Sequence, residues 1–294
     1  MGAYVDVSDR TLLSMKGADS QDLLQRISTN DLSRLQTGDT VETILTNEKG
    51  RIIDILLVHK REGNELLLAG RSKAPNEISG WLNKFIIMED ISVTNVTDNH
   101  GQFQLFDITY QEVLSCFSTI NCLILQSKHR KNELVRLVVE VAKKDHLSKI
   151  IHANGKDQKS DQEYESFRVD RGIPDWPNEI CDRYNPLELG LEHCVSFTKG
   201  CYVGQEVIAR LDTYKKVQKG IVRLGLESNP PSLPSSLFLG DKEVGIITSS
   251  ASRTESNSES AAIGFLDKGT DTTKRKFYYL SDTLRKSVHL LHEE

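Results

Sequence analysis

Apolar residues recur at helical spacing in some stretches of this chain and on alternate positions in others. Leu23, Leu24 and Ile27 fall three to four residues apart and predict a helix over 19–27, with Asp19 or Ser20 placed to cap it. Strands over 41–46, 52–59 and 65–69 follow, divided by Asn47-Glu48-Lys49-Gly50 and Glu62-Gly63-Asn64, and read as an antiparallel meander. A helix over 75–86 turns Ile78, Trp81, Leu82 and Phe85 to one face as core residues. Strands at 91–96 and 102–106, a helix at 110–117, strands at 123–126 and 134–141 and a helix at 145–151 complete this half. Mixed elements with short connections indicate an α+β body.

The middle of the chain loses this regularity. Residues 154–163 are polar and read as a loop near a domain edge. The run R-V-D-R-G-I-P-D-W-P-N-E-I at 168–180 carries Pro174 and Pro177, which predict a rigid loop holding Arg168, Asp170, Arg171, Asp175 and Trp176. That loop is either a pocket wall or a stiff connector. Asn185-Pro186-Leu187-Glu188 has the chemistry of a short helix start that turns Leu187 and Leu191 inward. From Thr213 onward, β-rich runs at 217–226, 237–239, 244–248 and 261–266 predict a small β-barrel. Residues 249–260 read as a mobile hairpin tip, 277–280 as the last strand and 282–292 as a terminal helix.

Composition narrows the class. The 294 residues are enough for two or three domains, and no apolar run is long enough to span a bilayer. A formal charge of -5 argues against a broad nucleic-acid footprint. The five cysteines include no C-x-x-C pair and suit a reducing compartment. With no secretion signal in view, the expectation is cytoplasmic for a bacterial chain and the mitochondrial matrix for a trimmed eukaryotic one.

Candidate chemistry falls in three places: Asp54, Asp170 with Arg168 and Arg171, and Cys201 with Lys199 and Glu206. No dinucleotide, P-loop or H-E-x-x-H motif occurs. The segment F-T-K-G-C-Y-V-G-Q-E-V-I-A-R at 197–210 places Cys201 at or just before a helix N-terminus, where the helix field and Lys199 would favour a thiolate. The same cysteine reads equally as a small buried hydrophobe. His193 is a candidate partner for the thiol. A carboxylate such as Asp170 can accept the paired N–H and NH₂ donors of a pterin, while Arg168 or Arg171 stacks on the ring or pairs with an anionic tail. The trio reads equally as a salt-bridge cluster.

K-G-C-Y-V-G-Q-E at 199–206, continued by V-I-A-R to 210, closely resembles the signature of the folate-binding YgfZ family, which includes mitochondrial iron–sulfur assembly factors. The likeness extends through S-D-R at 8–10, T-N-D-L at 29–32, N-E-K-G-R at 47–51, G-I-P at 172–174, N-P-L-E at 185–188, V-S-F at 195–197 and V-G-I-I-T-S at 244–249. That family is similar to the T-protein of the glycine cleavage system, a tetrahydrofolate-dependent aminomethyltransferase. The resemblance implies an α+β, three-domain ring around a folate site, with two mixed α/β domains and a C-terminal β-barrel. The expected divisions are 1–45 with 98–212, 46–97, and 213–294. Asp170 would inherit the pterin-binding carboxylate, and Arg168, Arg171, Trp176, Gln205 and Glu206 complete the expected folate-binding set. Gly50-Arg51-Ile52-Ile53-Asp54-Ile55 matches the catalytic aspartate stretch but keeps one carboxylate of two, which argues against glycine cleavage itself.

The function implied is a tetrahydrofolate-binding accessory factor for assembling or repairing iron–sulfur clusters in client enzymes, including one that modifies transfer RNA. It would act through Cys201, with Lys199 and Asp54 in the same machinery. The alternative is a tetrahydrofolate-dependent one-carbon transferase. Expected partners are a folate and iron–sulfur client or assembly proteins, with no resident metal, no nucleic acid, no membrane and a monomeric state.

Overall fold

In the computed structural model, which describes residues 2–252, 260–272, 277–281 and 284–291, the alternating apolar positions become three sheets. The contacts divide the chain into two units. Unit 1 comprises Met1–Lys159, Ile180–Pro186 and Leu191–Ala209, and unit 2 comprises Ser160–Glu179, Leu187–Gly190 and Arg210–Glu294.

Unit 1 begins with β1 (Ala3–Asp6), β2 (Leu12–Lys16), α1 (Ser20–Ile27), β3 (Thr40–Thr46), β4 (Ile52–Arg61), β5 (Glu65–Gly70), α2 (Pro75–Asn83) and β6 (Ser92–Asn95). The expected meander forms, and its strands join a sheet of order β3-β4-β5-β2-β6. Leu13, Met15, Leu45, Leu56, Val58, Leu66 and Leu68 turn to one face, where Leu23, Leu24 and Ile27 of α1 and Ile78 and Leu82 of α2 bury against them. Trp81 and Phe85 are only partly buried there. Because β2 and β3 pair into this sheet, residues 12–46 belong with 52–95; a division at 46 would cut the β3–β4 ladder.

The second sheet of unit 1 has the order β10-β1-β7-β9-β8, built with β7 (His100–Phe106), α3 (Tyr110–Phe117), β8 (Leu123–His129), β9 (Asn132–Glu140), α4 (Lys144–Ala153) and β10 (Asp157–Gln158). Phe103, Leu105, Val135, Leu137 and Val139 pack against Val113 and Phe117 of α3 and Leu147 and Ile151 of α4. A Thr109/Glu112 capping box opens α3. The opposite faces of the two sheets meet through Leu12, Leu57, Leu67, Ala69, Leu125 and Val138.

Unit 2 contains α5 (Asp161–Arg171) and a closed barrel of order β11-β14-β13-β12-β15-β16. The barrel strands are β11 (Lys219–Leu226), β12 (Ser235–Leu239), β13 (Lys242–Ser252), β14 (Ser260–Asp267), β15 (Phe277–Ser281) and β16 (Leu284–Leu290). α6 (Gln205–Thr213) precedes them in sequence. Leu224, Leu237, Ile247, Phe277, Tyr279 and Val288 fill the interior. The expected β-barrel is therefore present.

Five local expectations differ from what forms. Residues 168–171 are the last turns of α5, not a loop: Ser160 and Glu163 make a capping box at its start, and Gly172, at φ 68, ends it before the prolines act. The polar stretch before α5 is not all loop, since Ala3 and Tyr4 pair with Asp157 and Gln158. No helix starts at Asn185; residues 186–190 are turns, followed by a 3₁₀ turn, Glu192–Cys194. The expected terminal helix is strand β16, because pairing with β11 and β15 closes the barrel and removes an open edge. The expected hairpin tip begins inside strand β13, and residues 253–259 lie outside the described residues. Among the described residues, no helix is long and apolar enough to cross a membrane.

Candidate functional site

The segment carrying Cys201 is pinned at both ends. At one end, Lys199 Nζ donates to the carbonyls of Gln25, Ser28 and Asn30 at 2.6, 2.8 and 2.7 Å. These carbonyls lie in the last turn of α1 and just beyond it, where acceptors have no helical partner and the dipole favours a cation. Burial pushes the Lys199 ammonium down to about 8, and Asp31 opposes that shift. The ammonium also lies 5.3 Å from the centre of the Tyr202 ring.

At the other end, Gly204 sits against the turn between β3 and β4. A side chain there would meet the Asn47 carbonyl at 2.6 Å and Thr46 Oγ1 at 2.8 Å, and φ is +83. Thr46 Oγ1 donates to the Val203 carbonyl at 2.7 Å. Gly50, on the facing turn, approaches Ile208 and the Gly204 carbonyl. The N-E-K-G-R and K-G-C-Y-V-G-Q-E stretches are thus two halves of one packing contact.

Between the pins, Gly200 faces open space and Cys201 is exposed, unlike Cys116, Cys122, Cys181 and Cys194. Its thiol is presented on a fixed loop, not buried as a small hydrophobe. It precedes the first residue of α6, Gln205, by four positions. The ammonium hydrogens of Lys199 go to three carbonyls, so any effect on the thiol is through its charge alone. Gln205 is half-buried at the start of α6 and Glu206 is exposed beside it.

Asp54, on β4, is wholly buried. Its Oδ1 accepts from the backbone N–H groups of Ile55, Arg71 and Ser72 at 2.8, 3.0 and 3.1 Å, and its Oδ2 accepts from Ser72 Oγ at 2.7 Å. Burial raises its pKa against the opposing pull of these bonds. With both oxygens engaged, the carboxylate ties β4 to the chain leaving β5.

The remaining predicted residues lie in unit 2. Arg168 uses all five of its donors: Nε and Nη2 pair with Glu165, Nη1 reaches the Ile173 carbonyl at 3.2 Å and Glu179 at 3.0 Å, and Nη2 also reaches Ser249 Oγ at 2.8 Å. Burial works against this charge, but Glu179, Glu165 and Asp175 outweigh it and raise its pKa. Arg168 therefore fastens α5 to the proline segment and the barrel, and has no hydrogen left for a ligand. Asp170 is half-buried on the last turn of α5, Trp176 is half-buried, and Arg171 is exposed with its guanidinium 5.7 Å from the Phe167 ring centre. A carboxylate acceptor, an indole face and an exposed guanidinium donor are groups that fit a pterin with an anionic tail.

His193, a candidate partner for Cys201 on sequence, points Nε2 toward Glu42, 3.8 Å away. Cys194 beside it is buried. A surface depression of about 700 Å³, lined by Tyr4, Ser148, Lys149, His152 and Gln158 among others, contains none of the predicted site residues.

Residues 2–121 match the GCVT N-terminal domain. A chloroplastic Arabidopsis thaliana protein named as a transferase is 27% identical over 83% of this chain, and the match spans 61% of that protein's length. An aminomethyltransferase of Listeria welshimeri is 24% identical over 83% of this chain and 73% of its own. Among solved structures, the glycine cleavage system aminomethyltransferase T of Bartonella henselae superposes with a TM-score of 0.81 over 99% of this chain and 85% of its own, at 14% identity. That likeness identifies the fold as the three-domain α+β type with a closed C-terminal barrel. The chain thus carries a GCVT N-terminal domain match over residues 2–121 and is similar to aminomethyltransferases over most of its length.

Proposed function

We propose that this chain binds a reduced folate and serves one-carbon transfer of the aminomethyltransferase kind. The observation that carries the reading is that the likeness to aminomethyltransferases is not confined to the N-terminal domain: it covers 83% of the chain in sequence and 99% in fold. The acceptor, ring and cation that unit 2 provides support it. When bound, a reduced folate supplies a ring nitrogen that carries the one-carbon unit. Asp170 accepts the pterin's paired N–H and NH₂ donors, Trp176 covers the ring, and Arg171 pairs with the carboxylates of the tail. Arg168 is a positioning residue that holds the end of α5. Asp54, buried with both oxygens engaged, positions Arg71 and Ser72.

Calorimetric titration of 5-formyltetrahydrofolate into the wild-type protein and Asp170→Ala tests this. Saturable binding that weakens at least about tenfold in the variant, equal to 1.4 kcal/mol, is the expected result. Equal binding by both proteins removes Asp170 from the site, and no binding by wild type removes the folate reading.

A second reading rests on Cys201, the exposed cysteine held on a fixed loop. In that reading the protein is a folate-binding accessory factor that assembles or repairs iron–sulfur clusters in client enzymes through its thiol. An exposed thiol suits transient ligation of iron or thiol exchange. Cys201→Ala separates the two: one-carbon transfer survives the substitution, whereas client maturation is lost.

A further inference from the structure

The layer between the two sheets of unit 1 is apolar over most of its area and polar at one end. Glu42 on β3 faces this layer, since its ladder partner Leu57 does. On β8, Leu125, Ser127 and His129 alternate onto the same side. The 3₁₀ turn Glu192–Cys194 brings His193 and Cys194 to the polar end. One carboxylate oxygen, one imidazole nitrogen and the thiol sulfur of Glu42, His193 and Cys194 all lie within 4.8 Å of one another.

The two oxygens of Glu42 are engaged unequally. Oε1 accepts from Ser127 Oγ at 2.7 Å and lies 3.7 Å from Arg71 Nη2, which itself donates to Ser127 Oγ at 2.7 Å. Oε2 meets His193 Nε2 at the looser 3.8 Å.

An independent feature marks this pocket as under-partnered. Neither ring nitrogen of His129, a side chain only 2% exposed, has a hydrogen-bond partner among the described residues, and Arg71 Nη1 is in the same condition. Native interiors seldom leave such groups idle. Burial, with Arg130, Arg71 and His193 adding to it, pushes the His129 imidazole down to about 3, so the ring is neutral and keeps a lone pair.

We propose that Glu42, His193 and Cys194 bind one divalent transition-metal ion of the zinc class, leaving a fourth position open. A thiol, an imidazole and a carboxylate are a borderline-soft donor set of the kind zinc takes, whereas calcium and magnesium select oxygen alone. On binding, the S–H bond of Cys194 breaks, a metal–sulfur bond forms and the proton leaves to solvent. The side chain of His193 is 43% exposed, which gives the ion a way in. The proposal is independent of folate binding.

Titration of Co²⁺ into the reduced full-length protein, followed by Zn²⁺ displacement, tests it. One equivalent of Co²⁺ should produce a near-ultraviolet thiolate-to-cobalt band that Zn²⁺ abolishes. The band should vanish in Cys194→Ser and persist in Cys201→Ser. His193→Gln, at a half-exposed position expected to leave the fold intact, should weaken binding by at least the 10–100-fold, in order of magnitude, that loss of a supporting residue costs. A band that survives in Cys194→Ser, or one that is lost in Cys201→Ser, overturns the proposal. Absence of one-to-one binding in wild type does the same. If Cys194→Ser fails to fold, unchanged affinity in His193→Gln is sufficient to reject it.

Discussion

Two buried arginine–glutamate clusters in this protein differ in how completely their hydrogen bonds are used. Around Arg168 and Glu179, every guanidinium hydrogen has an acceptor, and the carboxylate accepts from Arg168, the Asp175 backbone, Thr248 and Ser249. Around Arg71 and Glu42, the guanidinium–carboxylate approach is 3.7 Å, and among the described residues Arg71 Nη1 and both ring nitrogens of His129 have no hydrogen-bond partner. The first cluster is complete as it stands and works as a fastener. The second is short of partners, and that shortage makes it a candidate for binding something from outside the chain.

The largest expected effect tests the fastener. Arg168→Met leaves Glu179 buried and uncompensated, at a cost of about 3–5 kcal/mol in urea unfolding. Glu42→Gln in metal-free protein should cost less than about 1.5 kcal/mol, because the amide keeps an oxygen for Ser127 Oγ. Equal losses would erase the distinction between the clusters.

A smaller effect divides the cysteine loop in the same way. Gly204→Ala drives a methyl into the Asn47 carbonyl at a positive φ and should cost about 1–3 kcal/mol. Gly200→Ala, which meets nothing within 4 Å, should stay within about 0.5 kcal/mol. Thermal unfolding of both variants measures whether the loop is pinned on one side and open on the other.

The smallest effect concerns Asp54. Its folded pKa is raised, so its contribution to stability is fully present below the unfolded value near 3.8 and is lost as the pH rises through the folded value. Asp54→Asn should therefore be most destabilised relative to wild type near pH 4, by about 1–2 kcal/mol. The gap should narrow towards pH 7, as read by urea midpoints. A gap that widens over that range would mean the four hydrogen bonds outweigh burial and the carboxyl is ionised throughout.

Much of the fold was legible locally. The spacing of Leu23, Leu24 and Ile27, the turn at Asn47-Glu48-Lys49-Gly50 and the short β-rich runs after Thr213 each carry a periodicity or turn chemistry that neighbouring residues alone enforce. The helix through Arg168 and Asp170 was legible too, in Ser160-x-x-Glu163 and Gly172; the prolines at 174 and 177 break helix only beyond Gly172. Residues 284–290 had no such local answer. Leu284 and Val288 fit a helix face as well as a strand, and pairing with β11 and β15 decided between them.

The sequence by itself determined the periods, the turns, the resemblance carried by the cysteine motif and the identity of the candidate side chains. Tertiary structure decided what those side chains are free to do. It occupied Lys199 with three carbonyls, closed Asp54 within a hydrogen-bonded knot, spent all of Arg168 on its neighbours and left Cys201 exposed. It also gathered Glu42, Ser127, His129, His193 and Cys194, which share no motif. The physical reason is that periodicity and capping arise from neighbours in the chain. Whether a polar atom is satisfied depends instead on strand register and on segments far away in sequence.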